Sequence, residues 1–165
     1  MVRGLLERVP GLELAVSATT RAPRPGEERG RDYWFLSPEE FERRAQGGEF
    51  VEHAVYAGNR YGTPRSELER PARGIVLEID VQGARQVRDA LPRALLVFIA
   101  PPSVDELRRR LAKRGSDPPE QVERRLTAAK EELAAQEEFA HAVVNDELDR
   151  ALDELVELAA TMCRP

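Results

Sequence analysis

Arg21, Arg24, Arg29 and Arg31 fall in one short stretch, punctuated by Pro23, Pro25, Gly26 and Gly30, between an apolar run at 12–16 and the aromatic run Tyr33-Trp34-Phe35. Arginine presents five N–H donors in a flat fork that matches phosphate oxygens, and Pro and Gly hold backbone in turns that aim side chains. The stretch is either a solvated basic loop or a grip for an anion. Further carboxylates and cations sit where chemistry is possible. Glu52 lies in the strand-like run Phe50–Tyr56, and Asp80 ends the apolar run Ile75–Asp80. Arg108, Arg109, Arg110, Lys113 and Arg114 crowd one segment, with Arg124 and Arg125 beyond it. His53 and His141 read as surface or strand-packing residues.

Composition bounds what such a site serves. The 165 residues, 41% apolar, suffice for one well-buried core, and the net charge of -5 excludes a general nucleic-acid binder, which carries a basic excess. Any anion site must therefore be local. Cys163 is the single cysteine, which rules out an internal disulfide and suits a reducing compartment. No apolar run approaches the ~18 residues of a membrane span, and Met1-Val2-Arg3-Gly4-Leu5 has no signal-peptide layout, so a cytoplasmic location without membrane contact is expected. The residues fix no oligomeric state.

The elements that must position these groups follow from periodicity and punctuation. Leu5, Leu6 and Val9 share a helix face that Pro10-Gly11 ends, and Leu12–Ser17 reads as a strand entering the arginine loop. Tyr33–Leu36 is a second strand. Ser37-Pro38-Glu39-Glu40 forms a capping box for a helix closed by Gly47-Gly48. Phe50–Tyr56, a turn at Ala57-Gly58-Asn59-Arg60 and a return strand Arg60–Thr63 make a hairpin, and Thr63-Pro64 opens a short helix ending before Pro71.

Ile75–Asp80 and Leu95–Ala100 are apolar on both faces, as strands covered on both sides are, and a helix from Gln82 to Leu91 joins them. Ser103-Val104-Asp105-Glu106 caps a basic helix stopped by Gly115, and Asp117-Pro118-Pro119-Glu120 caps one with Val122, Leu126, Ala129 and Leu133 on a stripe. His141–Asn145 is a last strand, followed by an amphipathic helix with Leu148, Leu152, Leu155 and Ala159 on one face. Strands alternating with helices give an α/β fold with a parallel sheet, interrupted by the hairpin-like region 33–70.

Taken in order, these residues resemble one family: the guanylate kinases. The resemblance rests on Ser17-Ala18-Thr19-Thr20-Arg21 with Arg24 and Gly26, Asp32-Tyr33, Gly58-Asn59-Arg60-Tyr61-Gly62-Thr63, Glu78-Ile79-Asp80-Val81-Gln82-Gly83, Phe98-Ile99-Ala100-Pro101-Pro102-Ser103, Arg110, Arg114-Gly115 and Val144-Asn145-Asp146. It implies a P-loop nucleoside-monophosphate-kinase-like parallel sheet flanked by helices. Residues 1–17, 74–106 and 131–165 would form the core, 18–73 an inserted GMP-binding subdomain, and 107–130 a helical lid. It implies phosphoryl transfer from ATP to GMP, with Mg²⁺ accompanying ATP and both nucleotides as partners.

By the same resemblance Arg21, Arg24, Tyr33 and Tyr61 hold the GMP phosphate, and Glu52 reads guanine with Ser17 and Thr63 beside it. A carboxylate suits guanine, which presents two adjacent donors where adenine presents an acceptor. As a lone residue, Glu52 reads by default as the outward half of an alternating strand. Asp80 lies beside the phosphates and Mg²⁺ by resemblance, acting indirectly on the metal, or caps the following segment. Arg110, Arg114 and Arg125 match arginines that close over the transferring phosphoryl group, with Arg110, Arg114 and Asn145 also on the ATP side. The acceptor is an ionised phosphate oxygen, so no general base is needed.

One departure is large. The family's first strand and its loop G-x-x-x-x-G-K-[ST] do not occur in these residues, and Met1-Val2-Arg3-Gly4-Leu5-Leu6 matches the helix after that loop. The expectations are a sequence lacking its true N-terminus, Ile75–Asp80 and Leu95–Ala100 without a shared sheet partner, and no turnover by the chain as given. The alternative is a non-catalytic guanylate-kinase-like binding module, against which the full GMP set speaks.

Overall fold

The computed structural model describes residues 1–114 and 119–162; the side chains of Arg114, Pro119 and Gln121 lie outside that description. Three sequence expectations fall outside it as well: the helix stop at Gly115, the cap at Asp117-Pro118, and Cys163. The chain forms two compact units, one spanning Val9–Ala94 and one combining Arg3–Arg8 with the described residues from Leu95 onward. Its class is mixed α/β with parallel strand pairs, and the described residues include six α-helices.

In the first unit, β1 (Leu12–Leu14) pairs in parallel with β6 (Gly74–Val76). Both strands are shorter than the apolar runs suggest. The ladder stops because the chain leaves β1 after Ala15, whose N–H donates to the Val76 carbonyl at 2.9 Å, and β2 (Ala18–Thr19) joins a different sheet. Leu77 and Ile79, both half-buried, and the exposed Glu78 between them thus lie beyond the strand pairing.

That second sheet has four strands. Its order is β3 (Trp34–Phe35), β2, β5 (Asn59–Pro64), β4 (Phe50–Tyr56), with β2 parallel to β3 and antiparallel to β5. The hairpin turn is tighter than the sequence suggests. Ala57 and Gly58 alone form it, with φ of 49° and 86°, the paired positive angles of the two-residue turn that matches strand twist.

Helix α2 (Pro38–Gln46) follows from its cap: Ser37 Oγ accepts from the Glu40 N–H, and proline occupies the first turn, where no N–H is needed. The capping box is only half made, because the Glu40 carboxylate pairs with Arg44 at 2.7 Å instead of reaching back. Phe41 from α2 stacks on Phe50, centroids 4.7 Å apart, and with Ala18 and Leu36 forms this unit's core. A 3₁₀ turn, Arg65–Glu69, stands where the short helix after Pro64 is expected.

Helix α3 (Val81–Ala90) packs along β4, the edge strand of the sheet, and buries Val81, Gly83, Ala84 and Val87.

The second unit contains the parallel pair β7 (Val97–Ala100) and β8 (His141–Val144) with helices α1 (Val2–Arg8), α4 (Val104–Arg114), α5 (Pro119–Ala134) and α6 (Leu148–Met162). Among the described residues neither parallel pair has a third strand. Ser103 Oγ accepts from the Glu106 N–H, while the Glu106 carboxylate pairs with Arg109 and Arg110, another half-made box. Leu126 and Ala129 of the α5 stripe are buried. Leu148 departs from the expected α6 stripe: it is 54% exposed, because burial begins one turn later at Ala151, Leu152 and Leu155. Arg8 ties α1 to α6 through Asp149 and Asp153.

Candidate active site

A fault in a strand places the buried carboxylate. Between Phe50 and Glu52 the register of β4 against β5 shifts, leaving Val51 as the extra residue of a β-bulge. In a regular strand Phe50 and Glu52 would share a face. Here Phe50 and His53 share one, their rings 6.1 Å apart, and both rings meet Phe41 of α2. Glu52 is turned to the other face, toward α3, and is only 4% exposed. The reading of Glu52 as the solvated half of an alternating strand is therefore excluded.

Glu52 is held from two sides. Thr63, directly opposite on β5 and fully buried, donates its hydroxyl to Glu52 Oε1 at 2.7 Å. On the other side, a Cβ at Gly83 would lie 2.4 Å from Glu52 Oε2, so only glycine lets α3 come this close. Burial pushes the Glu52 carboxyl above the ordinary carboxylate range; the Thr63 hydrogen bond opposes the shift and the Asp80 charge adds to it.

Asp80 is the N-cap of α3, its Oδ1 accepting from the Gly83 N–H at 2.8 Å and its Oδ2 from Gln82 Nε2 at 3.3 Å. The capping alternative weighed for Asp80 is thus realised. That geometry also brings Asp80 near enough to Glu52 to raise its pKa.

The arginine loop is built rather than solvated at its first half. Thr20 exchanges hydrogen bonds with Arg60: its N–H donates to the Arg60 carbonyl at 3.1 Å, and its Oγ1 accepts from the Arg60 N–H at 3.0 Å. Thr19 Oγ1 donates to the same carbonyl and accepts from the Arg21 N–H. Pro25-Gly26 then makes a turn, with Gly26 at φ 86° and the Glu27 N–H on the Arg24 carbonyl at 3.0 Å.

The turn delivers Glu27 to Arg21 as a two-pronged ion pair of 2.8 and 3.0 Å, and Glu27 also accepts from the Arg24 N–H at 2.7 Å. Arg21 is 12% exposed at its side chain and lies over the Tyr33 ring, 5.3 Å from the centroid. Burial works against the Arg21 charge, but Glu27 and Tyr61 outweigh it and raise its pKa; the Arg21 hydrogen bond holds Glu27 below the ordinary range, against burial.

All three tyrosines of the chain gather here. Tyr61 meets Tyr33 edge-on at 6.1 Å and Tyr56 at 6.5 Å. Burial first, then the neighbouring Tyr61 and Glu78, push the Tyr33 hydroxyl up, so it stays a neutral donor. Since Tyr61 and Thr63 are two residues apart on β5, and Glu52, Ala54 and Tyr56 alternate likewise on β4, one face carries both groups. A buried carboxylate stands at one end and an arginine among tyrosines at the other.

A model of the family described as guanylate kinase matches residues 3–161. The chain belongs to the guanylate kinase family. It is 56% identical over 152 residues to the guanylate kinase of Streptomyces coelicolor, covering 90% of this chain and 77% of that one. It is 50% identical over 161 residues to that of Rubrobacter xylanophilus, covering 96% and 84%. The crystal structure of guanylate kinase from Anaplasma phagocytophilum superposes with a TM-score of 0.81 at 33% identity, covering 99% of this chain and 81% of that one. Guanylate kinases are nucleoside monophosphate kinases, and that is the enzyme class of this chain.

Of the residues singled out from the sequence, Arg21, Tyr33 and Tyr61 cluster, Glu52 pairs with Thr63, and Asp80 lies near Glu52. Ser17 precedes β2, half-buried, its carbonyl accepting from the Trp34 N–H at 2.9 Å, and Arg24 is engaged through its backbone at the turn. The second unit holds the others. Arg110 pairs with Glu106 at 2.7 Å, Arg125 is half-buried on α5, and the Asn145 N–H donates to the Ala100 carbonyl at 2.8 Å. The side chain of Arg114 lies outside the described residues. Arg108, read as solvated, joins α4 to α5 through Glu123 at 2.6 Å.

Sequence reasoning missed Glu27, Thr19 and Thr20, which fix the loop. Only the Pro-Gly dipeptide gave a signal for Glu27. It also missed Glu67, a buried carboxylate that accepts from the Val16 N–H at 2.9 Å, from Arg70 at 2.9 Å and from the Trp34 indole.

Proposed function

We propose that this chain carries the GMP site of an ATP:GMP phosphotransferase, with guanine read by Glu52 and the phosphate gripped by Arg21, Arg24, Tyr33 and Tyr61. The observation that carries the reading is the buried, Thr63-bonded Glu52 on the same sheet face as the Arg21–tyrosine cluster. A desolvated acceptor facing two adjacent N–H donors gains two charge-assisted hydrogen bonds, and adenine would leave it unmatched. Ser17 and Thr63 flank the base in this reading. Two phenols and a guanidinium oriented by Glu27 stand at the other end to bind a phosphate, which for Arg21 requires sharing its donors between Glu27 and the phosphate.

Arg110, Arg114 and Arg125 stabilise the charge that develops on the transferring phosphoryl group, and Arg110, Arg114 and Asn145 serve ATP. For Arg110 this requires exchange of its Glu106 partner for phosphate. Mg²⁺, when bound with ATP, neutralises phosphate charge. Among the described residues no cluster of three potential ligands is present, and Asp80 has both oxygens engaged at the start of α3. Asp80 therefore fits Mg²⁺ only through water, as suits an ion that keeps several waters and is held largely by phosphates. No described helix is long and apolar enough to cross a membrane, and a cytoplasmic location belongs to the proposal.

Calorimetry with GMP and AMP tests the site. Glu52→Ala is expected to weaken GMP by about 10- to 100-fold, the loss of charge-assisted hydrogen bonds worth roughly 1.5–3 kcal/mol, and to leave AMP unchanged. Equal weakening of both nucleotides would remove Glu52 as the base reader. The 165 residues contain no G-x-x-x-x-G-K-[ST], so this chain alone is expected to bind GMP without turnover. Measurable GDP formation from ATP and GMP would contradict that part.

A further inference from the structure

Helix α3 is tied to the outer edge of β4 by two glutamines rather than by apolar contact alone. Gln86 makes a reciprocal pair with the His53 backbone: its Oε1 accepts from the His53 N–H at 3.1 Å, and its Nε2 donates to the His53 carbonyl at 2.8 Å. One turn earlier on the helix, Gln82 Nε2 donates to the Val55 carbonyl at 3.1 Å. The spacings match. Four residues of helix rise about 6 Å, and two residues of strand advance about 6.6 Å, so two helical glutamines meet alternate strand residues without distortion.

β4 is an edge strand, and these bonds satisfy backbone groups that a further strand would otherwise take. Between the two glutamines sits Gly83, the residue packed on Glu52 Oε2, and just before them Asp80, whose carboxylate accepts from the Gly83 N–H. His53 adjoins Glu52 in the chain.

We propose that Gln86, assisted by Gln82, is a positioning residue for guanine selectivity. It locks α3 against β4 so that Gly83, packed on Oε2, holds the Glu52 carboxylate in one orientation. The inference rests on Glu52 reading the base. A carboxylate that must accept two hydrogen bonds at once depends on orientation more steeply than one accepting a single bond. Loosening the lock should therefore penalise a base with two donors more than a base with one.

Gln86→Met keeps length and helix propensity and removes both amide hydrogen bonds. The chain is titrated with GMP and with inosine monophosphate, which lacks the exocyclic amine, and its melting midpoint is measured alongside. The variant is expected to bind GMP about tenfold more weakly, which is about 1.4 kcal/mol, with inosine monophosphate changed less than twofold. Gln86→Glu, which keeps the acceptor for the His53 N–H and loses the donor, should fall between the two.

A Gln86→Met chain with the wild-type preference for GMP overturns the inference, whatever its stability. So does equal weakening of both nucleotides, which marks a purely structural role. A wild-type chain with no preference for GMP fails differently: it removes the guanine reading of Glu52 and this inference with it.

Discussion

Gly83→Ala puts the smallest possible group, one methyl, where α3 meets Glu52. Its Cβ would stand 2.4 Å from Glu52 Oε2, 3.1 Å from Glu52 Cδ and 3.3 Å from Ile79 Cβ. An unpaired carboxylate could swing aside at little cost, but Glu52 is buried and bonded to Thr63 at 2.7 Å. Relief therefore requires either α3 to shift, at about 1–3 kcal/mol for an overpacked methyl, or Glu52 to give up Thr63, at about 1.5–3 kcal/mol for a bond to a charged group. Alanine returns about 0.5–1 kcal/mol in a helix interior. The net is a loss of about 1–2 kcal/mol, or a melting midpoint lower by about 2–8 °C in a chain of this size.

Thermal melting by circular dichroism reads that shift, and the same substitution in a Glu52→Ala background supplies the control. With the carboxylate gone, Gly83→Ala should turn neutral or stabilising, a non-additivity expected only of groups in contact. An unchanged or higher midpoint for Gly83→Ala alone would refute the reasoning, since it would mean that Glu52 moves freely.

Other consequences can be checked with the same preparations. Burial raises the Glu52 pKa above its ordinary 4.5, so the protonated form is favoured by folding. The stability this carboxyl contributes is present below the ordinary value and lost as pH rises through the raised one. Denaturant midpoints across that window should therefore fall in wild type relative to Glu52→Gln, and a relative rise would contradict the shift. Glu67→Ala strips acceptors from the Val16 N–H, Arg70 and Trp34, and should cost about 1–3 kcal/mol. Since Trp34 is the single tryptophan, its emission should shift in the native state, and an unmoved midpoint would show that water replaces the carboxylate.

Local structure was legible wherever one or two residues dictate the backbone. Ser37-Pro38 announced α2, Pro25-Gly26 its turn, and the apolar stripes α5 and α6. Strand lengths were not. Leu77 and Ile79 look like strand, but a ladder extends only as far as its partner, and the chain turns away from β6 after Ala15. The capping boxes were half right for a similar reason: the hydroxyl has only its own helix to bond, whereas Glu40 and Glu106 had arginines to choose.

The sequence by itself determined the family, the kinds of side chain at the site and the turns that aim them, because ordered motifs and Pro-Gly punctuation are local properties. Only the tertiary structure decided what those side chains face. A bulge at Val51 turns Glu52 inward, Thr63 and Gly83 hold it there, and a turn lays Glu27 across Arg21. The bulge and the grip on Glu52 depend on pairing between residues far apart in the chain and on a register shift of one residue, while the Glu27 pair depends on the side chains a local turn brings together. Because side chains alternate along a strand, one extra residue moves a carboxylate from the face that packs on α2 to the face that packs on α3.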